Sequence, residues 1–390
     1  MKHKGKIIVA GYLVRFPIGG YPWQTAHYLL GLKALGYDVW FYEDSGHYSP
    51  AYNPLTKEFG SSYHYGVKTA ATFLERVGFG DHWCFIDSQR GVKYGCQADR
   101  IDELLREAEL LINFGGVNHI PLEKRAGRRS IYIDSDPGYT QLNLENGDES
   151  LRVFLNEHDK LFTFGENIGT PCSTTPTGGL DWIPTRQPVV LDLWAGAGPP
   201  GVSYTTIGAW NSSDRDLTYQ GDIFHWSKRR EWLRFLDLPK RTGVSFELAT
   251  DVWSVPGDFD RFSAHGWRFV DPDEISVDPW RYRTYITSNS RAEFTVAKDM
   301  NIRLRTGWFS DRAACYLAAG RPAVEHDTGF EEILPLGPGL HSFLTCEEAA
   351  EAVASIEADY ARASAHASEV AREYFAAEKV LGSLLEQAGS

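Results

Sequence analysis

Short apolar runs alternating with segments of helical period restrict this chain to one broad class of folds. The run IIVAGY near the N-terminus is too continuously apolar for a strand with one wet face, and suits a parallel strand buried on both. A loop containing PIGGYP follows. Then QTAHYLLGLKALGYDVWFYED sets Ala26, Leu29, Leu30, Leu32 and Leu35 at helical spacing, Gly36 ends the helix, and DVWFYE reads as the next strand. Strand, glycine loop, helix and strand make a βαβ unit, whose crossover is right-handed. The alternation continues through IDELLREAE as helix and LLINFGG, RSIYID and KLFTFGENIG as strands. Such a series predicts a doubly wound parallel sheet, with ligands collecting beyond the carboxyl ends of its strands. Polar, glycine-bearing clusters at 19–20, 113–116, 134–138 and 165–167 all fall at such ends.

Between about 170 and 202 the pattern breaks into a Pro- and Gly-rich stretch without helical period, read as a linker. Afterwards the alternation resumes with SYTTIGAW, GVSFELA, GWRFVDP, AEFTVAK and RPAVEH as strands and WSKRREWLRFLDL, DPWRYRTYITSN and SDRAACYLAAG as helices. A chain of 390 residues exceeds what one core supports, so two Rossmann-like α/β domains are expected. Their bounds are 1–190 and 202–365, with a helix over 366–390 returning to the first. The alanine-rich segment from Cys346 onward is more helix than the second sheet needs as cover.

The formal net charge of -13 opposes non-specific nucleic-acid binding, which depends on cations that displace counterions from phosphates. A small anionic ligand is not excluded, because a few local donors decide that case. The five cysteines, Cys84, Cys96, Cys172, Cys315 and Cys346, show neither CxxC pairing nor zinc spacing. They fit reduced thiols, and with no run of membrane length the expected location is the cytoplasm. No metal-ligand cluster is visible, and nothing in the sequence sets an oligomeric state. The 12 Trp, 19 Tyr and 21 Phe suit large cores and also a cleft whose flat rings cover sugar faces.

The sharpest local signal is TGWFSDRAACYLAAGRPAVEHDTGFEEILP. Ser310 is a good N-cap, the turn before it contains Gly307 and Trp308, and the helix opening offers free N–H donors where the macrodipole is positive. That combination binds phosphate readily, with Arg312 in the first turn as a further donor. Gly320 closes the helix, Pro322 begins a strand, and DTGFEE forms an acidic glycine turn. PIGGYP is no dinucleotide fingerprint, which argues against a nicotinamide enzyme.

This order of helix, G-[KR]-P, strand and acidic glycine loop resembles the donor-binding segment of GT-B glycosyltransferases. The opening strand with its glycine loop and the helical tail are similar to that superfamily as well. The resemblance implies two Rossmann domains facing across a cleft, and a hexosyltransferase-type reaction from a nucleoside-diphosphate sugar, such as a UDP-sugar, to an acceptor. No metal and no cofactor beyond that co-substrate is implied. Carried over, Trp308, Ser310, Asp311 and Arg312 match the phosphate-binding helix start, and Asp327, Thr328, Gly329, Phe330 and Glu331 match the loop bordering sugar and ribose. Gly19 and Gly20 would let backbone N–H groups approach the donor or the acceptor. The chain departs from the many retaining members with two glutamates flanking this helix, because Cys315 and Gly307 stand at the matching positions. An inverting reaction would need a base in the first domain, for which Asp134, Asp136 and His27 are the candidates. Trp210 and Tyr219 are candidates to stack on base or sugar, and Lys228, Arg229 and Arg230 read as a solvated helix face. Base selection is expected around 266–272 and acceptor choice around 45–66. A nucleotide-sugar 2-epimerase and an inactive GT-B-like binding protein are the alternative readings.

Overall fold

Eight strands build the first sheet: β1 (Lys6–Ala10), β2 (Asp38–Asp44), β3 (Trp83–Asp87), β4 (Val92–Tyr94), β5 (Leu110–Phe114), β6 (Arg129–Asp134), β7 (Lys160–Thr163) and β8 (Trp182–Pro184). Their order across the sheet is β8-β7-β6-β5-β1-β2-β3-β4, parallel throughout except for the antiparallel β3–β4 edge. Every position of β3, WCFID, and β5, LLINF, is buried, as their largely apolar sequences require. This computed structural model describes residues 4–46, 51–95, 98–125, 127–196, 198–212 and 215–389. Cys96, residues 47–50 of the expected acceptor loop, Ala197 of the expected linker and Ser390 of the tail lie outside them.

The second sheet holds β9 (Ser203–Ile207), β10 (Ser245–Ala249), β11 (Trp267–Val270), β12 (Ser290–Thr295), β13 (Ala323–His326) and β14 (Leu340–Phe343). Their order is β11-β10-β9-β12-β13-β14, all parallel. Each sheet reverses its winding once, between β1 and β5 in the first and between β9 and β12 in the second. A crevice opens beyond the strand ends at each reversal. The polar β9, SYTTI, is buried at all five positions because its hydroxyls have partners inside. Thr205 Oγ1 meets the Tyr316 hydroxyl at 2.7 Å, and Thr206 Oγ1 donates to Glu293 Oε1 at 3.1 Å.

Two local expectations are corrected. The stretch read as a linker contributes β8, an edge strand on which Pro184 is tolerated because an edge can lose a ladder N–H. WSKRREWLRFLDL is not one helix: a helix spans Arg229–Arg234, and Pro239 lies in the first turn of a second helix over Leu238–Thr242. A hairpin of Leu217–Tyr219 and Asp222–Phe224, absent from the sequence reading, precedes them.

Three helices place the site. Helix α1 (Gly20–Ala34) follows β1, α2 (Asp311–Ala318) follows β12, and α3 (Ala377–Ala388) ends the chain. The tail covers the second sheet, then crosses at 375–377, where Val189 N–H donates to Phe375 O and Ala377 N–H to Val189 O. From there α3 packs on α1. A Cβ added at Gly31 would lie 2.5 Å from Leu381 Cδ1 and 2.9 Å from Ala377 Cβ, so this glycine sets how closely the two helices approach. Among the described residues, no helix is long and apolar enough to cross a membrane. Cys84, Cys172, Cys315 and Cys346 are free thiols.

Candidate active site

The loop after β1 is fixed from below by one buried carboxylate. Glu43, wholly buried, accepts the N–H groups of Leu13, Val14 and Arg15 at 2.6–3.0 Å and pairs with Arg15 Nε at 3.0 Å. The chain then turns through Gly19 into α1, and Gly19 N–H donates to Ser276 O of the second domain at 2.8 Å. Its φ of 41° and the 2.9 Å from an added Cβ to the Tyr282 ring demand glycine there. This N–H is therefore committed to the domain contact rather than offered to a phosphate, and Gly20 runs beside the Tyr282 hydroxyl.

Helix α2 opens opposite α1. Ser310 Oγ caps it by accepting from Ala313 N–H at 3.3 Å, and Asp311 Oδ2 accepts from Gln24 Nε2 of α1 at 3.3 Å. The first-turn N–H groups of Asp311 and Arg312 have no intrahelical acceptor. A narrow pocket, with room for little more than a water molecule, separates the helices, bordered by Gly20, Gln24 and His27, by Tyr282, and by Asp311, Arg312 and Cys315. Four residues singled out from the sequence, Gly20, His27, Asp311 and Arg312, thus share one wall-to-wall space.

Arg312 is not the free phosphate clamp expected of it. Its side chain is 13% exposed and crosses the second sheet's switch point, with Nε on Glu293 Oε1 at 2.5 Å, Nη1 on Ile207 O at 2.6 Å and Nη2 on Thr295 Oγ1 at 3.2 Å. Three of its five donors are thereby spent on the crevice floor. Glu325, beside Glu293, is nine-tenths buried, and burial together with the Glu293 charge pushes its carboxyl well above the usual range.

The cation left over is Lys228. Among the described residues its Nζ has no hydrogen bond or ion pair, and it lies 5.7 Å from the centre of the Trp308 ring. Loss of hydration, reinforced by Arg312 and Lys298, brings its amine down to about 7. The sequence reading as a solvated face fails here because Lys228 precedes the first helical turn and turns inward, whereas Arg229 pairs with Asp258 at 2.5 Å. Glu293 and Glu325 were missed altogether. Their signal was a charged residue inside AEFTVA and PAVEH, strands otherwise apolar enough for burial on both faces.

The three base candidates separate clearly. Asp134 is 1% exposed and accepts from Thr140 Oγ1, Gln141 Nε2 and Thr163 Oγ1 at 2.7–3.0 Å, so it braces the loop after β6 and has no oxygen for an acceptor. Burial raises its carboxyl despite those bonds. His27 is 1% exposed, and its nitrogens face Val190 N–H at 3.0 Å and the Trp194 indole N–H at 3.1 Å. Burial lowers its imidazole to about 3, so it stays neutral within the wall. Asp136 alone looks outward: its side chain is 44% exposed, and among the described residues only its Oδ1 is engaged, by Lys298 Nζ at 2.7 Å.

The acidic glycine turn holds the domains together. Thr328 Oγ1 donates to Trp308 O at 2.5 Å, and Gly307 N–H donates to Thr328 O at 2.8 Å, which sets the turn ahead of α2. Gly329, at φ 89°, presents its carbonyl to Asn167 Nδ2 of the first domain at 2.9 Å. Phe330 is 1% exposed against Phe309, so it is core and not a sugar contact. Arg305 engages Asp327 at 3.2 Å and Glu331 at 2.5 Å. Trp210 is likewise core, fully buried with its indole N–H on Asp258, whereas Tyr219 lies on the hairpin. Among the described residues no three His, Cys, Asp or Glu side chains converge as a metal site.

No family model matches the chain, and no curated protein matches it. Solved structures do. Anabaena Alr3699/HepE in complex with UDP is 10% identical with a TM-score of 0.57, over 99% of both chains. An alpha-glucosyltransferase in complex with UDP and a 13-mer DNA is 10% identical with a TM-score of 0.59, over 100% of both. A glycosyltransferase from Rickettsia africae ESF-5 is 11% identical with a TM-score of 0.53, over 99% of this chain and 98% of that one. Two doubly wound parallel sheets, a returning C-terminal helix and a likeness over the whole length of these proteins establish one architecture, and the chain has the GT-B fold.

Proposed function

We propose that this protein is a glycosyltransferase that moves a sugar from a nucleoside-diphosphate sugar to an acceptor in the cleft between its domains. The observation that carries the reading is Lys228, a cation without an ion pair among the described residues, at the switch-point crevice beside the opening of α2. A diphosphate there would meet Lys228, the two remaining Arg312 donors and the first-turn N–H groups of α2. The structural neighbours support the same donor class, since HepE and the alpha-glucosyltransferase are both described with UDP. One of them also holds DNA, but the net charge of -13 on this chain favours an acceptor that is not a nucleic acid.

In the proposed reaction an acceptor hydroxyl oxygen bonds to the anomeric carbon. The bond from that carbon to the β-phosphate oxygen breaks, and the nucleoside diphosphate leaves with the electron pair. Asp136 Oδ2, the oxygen not held by Lys298, takes the acceptor's proton. Lys228 and the helix opening stabilise the leaving diphosphate. Neither a metal nor a further cofactor enters this scheme, and the proposed location is the cytoplasm.

The test is a panel of UDP-, GDP- and dTDP-sugars, followed by thermal shift and by slow donor hydrolysis. A stabilising nucleotide with release of free sugar supports the transferase. Conversion to a second nucleotide-sugar identifies an epimerase instead, stabilisation without turnover an inactive binder, and no shift with any nucleotide sinks all three.

A further inference from the structure

Two carboxyl groups lie inside the second sheet, where apolar side chains would fill the same space at less cost. Glu293 of β12 is wholly buried and Glu325 of β13 is 3% exposed. The strand register sets Thr295 opposite Glu325, and side chains alternate along a strand, so Glu293, Thr295 and Glu325 leave the sheet on one face. Arg312 covers that face, since it donates to both Glu293 and Thr295. Glu293 Oε1 takes the Arg312 Nε and Thr206 Oγ1 donors. Among the described residues its Oε2 has no donor, and neither has Glu325 Oε1. A buried carboxylate oxygen without a donor is costly, and two on neighbouring strands add like-charge repulsion. A single proton relieves both, because the two side chains are within hydrogen-bonding reach of each other.

We infer that Glu325 is a positioning residue of the donor site: it keeps a proton and donates it to Glu293 Oε2, so the crevice floor carries one negative charge, matched by Arg312, and Lys228 is left for an anionic ligand. The assignment rests on the diphosphate reading above. The proton belongs to Glu325 because Glu293 already accepts from a guanidinium and a hydroxyl. Burial and the Glu293 charge act in the same direction, holding the Glu325 carboxyl well above the usual range. The charged groups around it are Glu293 on β12, Arg312 on α2 and Lys228 at the start of the Arg229–Arg234 helix. His326, the next residue, leaves β13 on the other face, where it stacks on Phe343 and is kept neutral by burial. With both carboxyls ionised, the floor would hold two negative charges against one guanidinium. Lys228, which both carboxylates attract, would then be drawn to the floor and away from a diphosphate. A neutral Glu325 avoids this, and by holding Glu293 it also holds Arg312 in the first turn of α2.

The test uses the full-length protein and UDP. Infrared spectra in heavy water at neutral pH, taken as the unaltered protein minus Glu325→Gln, are expected to show the carbonyl stretch of a protonated carboxylic acid that the variant lacks. Glu325→Val leaves Glu293 Oε2 without a donor and should weaken UDP binding by about fivefold or more, measured by calorimetry well below the variant's unfolding temperature. Glu325→Gln, whose amide can donate to Glu293, should recover most of that loss. A carboxylate stretch in place of the acid band, or equal losses of UDP affinity in the Gln and Val variants, overturns the inference. The infrared difference decides even where Glu325→Val does not fold. A missing acid band with UDP still bound sinks the inference alone. An acid band with no UDP binding by the unaltered protein sinks the diphosphate reading, and with it the site role of Glu325.

Discussion

Lys298 Nζ lies 2.7 Å from Asp136 Oδ1, and this ion pair joins the end of β12 in one domain to the loop after β6 in the other. The same ammonium sits 3.2 Å from the centre of the Trp226 ring. The pair thus crosses from one domain to the other, and among the described residues it leaves one carboxylate oxygen uncommitted.

Asp136→Asn removes the proposed proton acceptor but little structure. A partly exposed ion pair is worth about 0–1 kcal/mol, so denaturant unfolding should shift by less than that. Turnover of a nucleotide-sugar with acceptor should fall by about 100-fold or more, with the nucleotide dissociation constant nearly unchanged. Equal losses in both would assign Asp136 to structure.

Lys228→Ala tests the diphosphate site. A lost charge-assisted contact costs about 1.5–3 kcal/mol, which is roughly 10- to 150-fold in UDP affinity by calorimetry. Folding stability should hold or rise, because the residue removed is a poorly hydrated amine with no ion pair among the described residues.

Nucleotide affinity should depend on pH through the same residue. The amine is held near 7 in the free protein, and a bound diphosphate favours its charged form. Binding therefore takes up a proton above pH 7, and affinity declines as pH rises through that region. Calorimetry at pH 8 in buffers of different ionisation enthalpy measures the uptake. No difference between buffers would remove Lys228 from the phosphate site.

Arg312→Ala should act on the fold before it acts on the ligand. It strands the wholly buried Glu293, and breaking a buried pair in this way costs about 3–5 kcal/mol. Chemical denaturation should show that loss, whereas a stable variant with only weakened UDP binding would make Arg312 a phosphate ligand without the structural role.

Chelation completes the set. With Lys228 and the α2 opening carrying the leaving-group charge, EDTA should leave UDP affinity and turnover within about twofold of the untreated protein, as local cations replace a metal in this scheme. A tenfold loss, recovered by added Mg²⁺ or Mn²⁺, would overturn that part of the scheme.

Much of the fold was legible because its rules are local. A strand buried on both faces is mostly apolar, as β1 and β5 are, and Ser310 announces the start of α2 by the chemistry of a cap. The site was only half legible. Asp134 and Asp136 stand two residues apart in one loop, yet one is saturated by Thr140, Gln141 and Thr163 and the other opens to the cleft. Nothing within DSDPG distinguishes them, since Thr163 arrives from β7.

By itself the sequence determined two doubly wound halves, a capped helix at Ser310 and an acidic surface, all consequences of periodicity, capping and composition. Tertiary structure decided which charges are free. Glu293 reaches Arg312 of α2 from β12, Trp194 closes over His27 from 167 residues away, and among the described residues Lys228 is left without an ion pair at the crevice. A charge is spent or available according to what lies within about 4 Å of it, and that distance is set by packing between segments far apart in the chain.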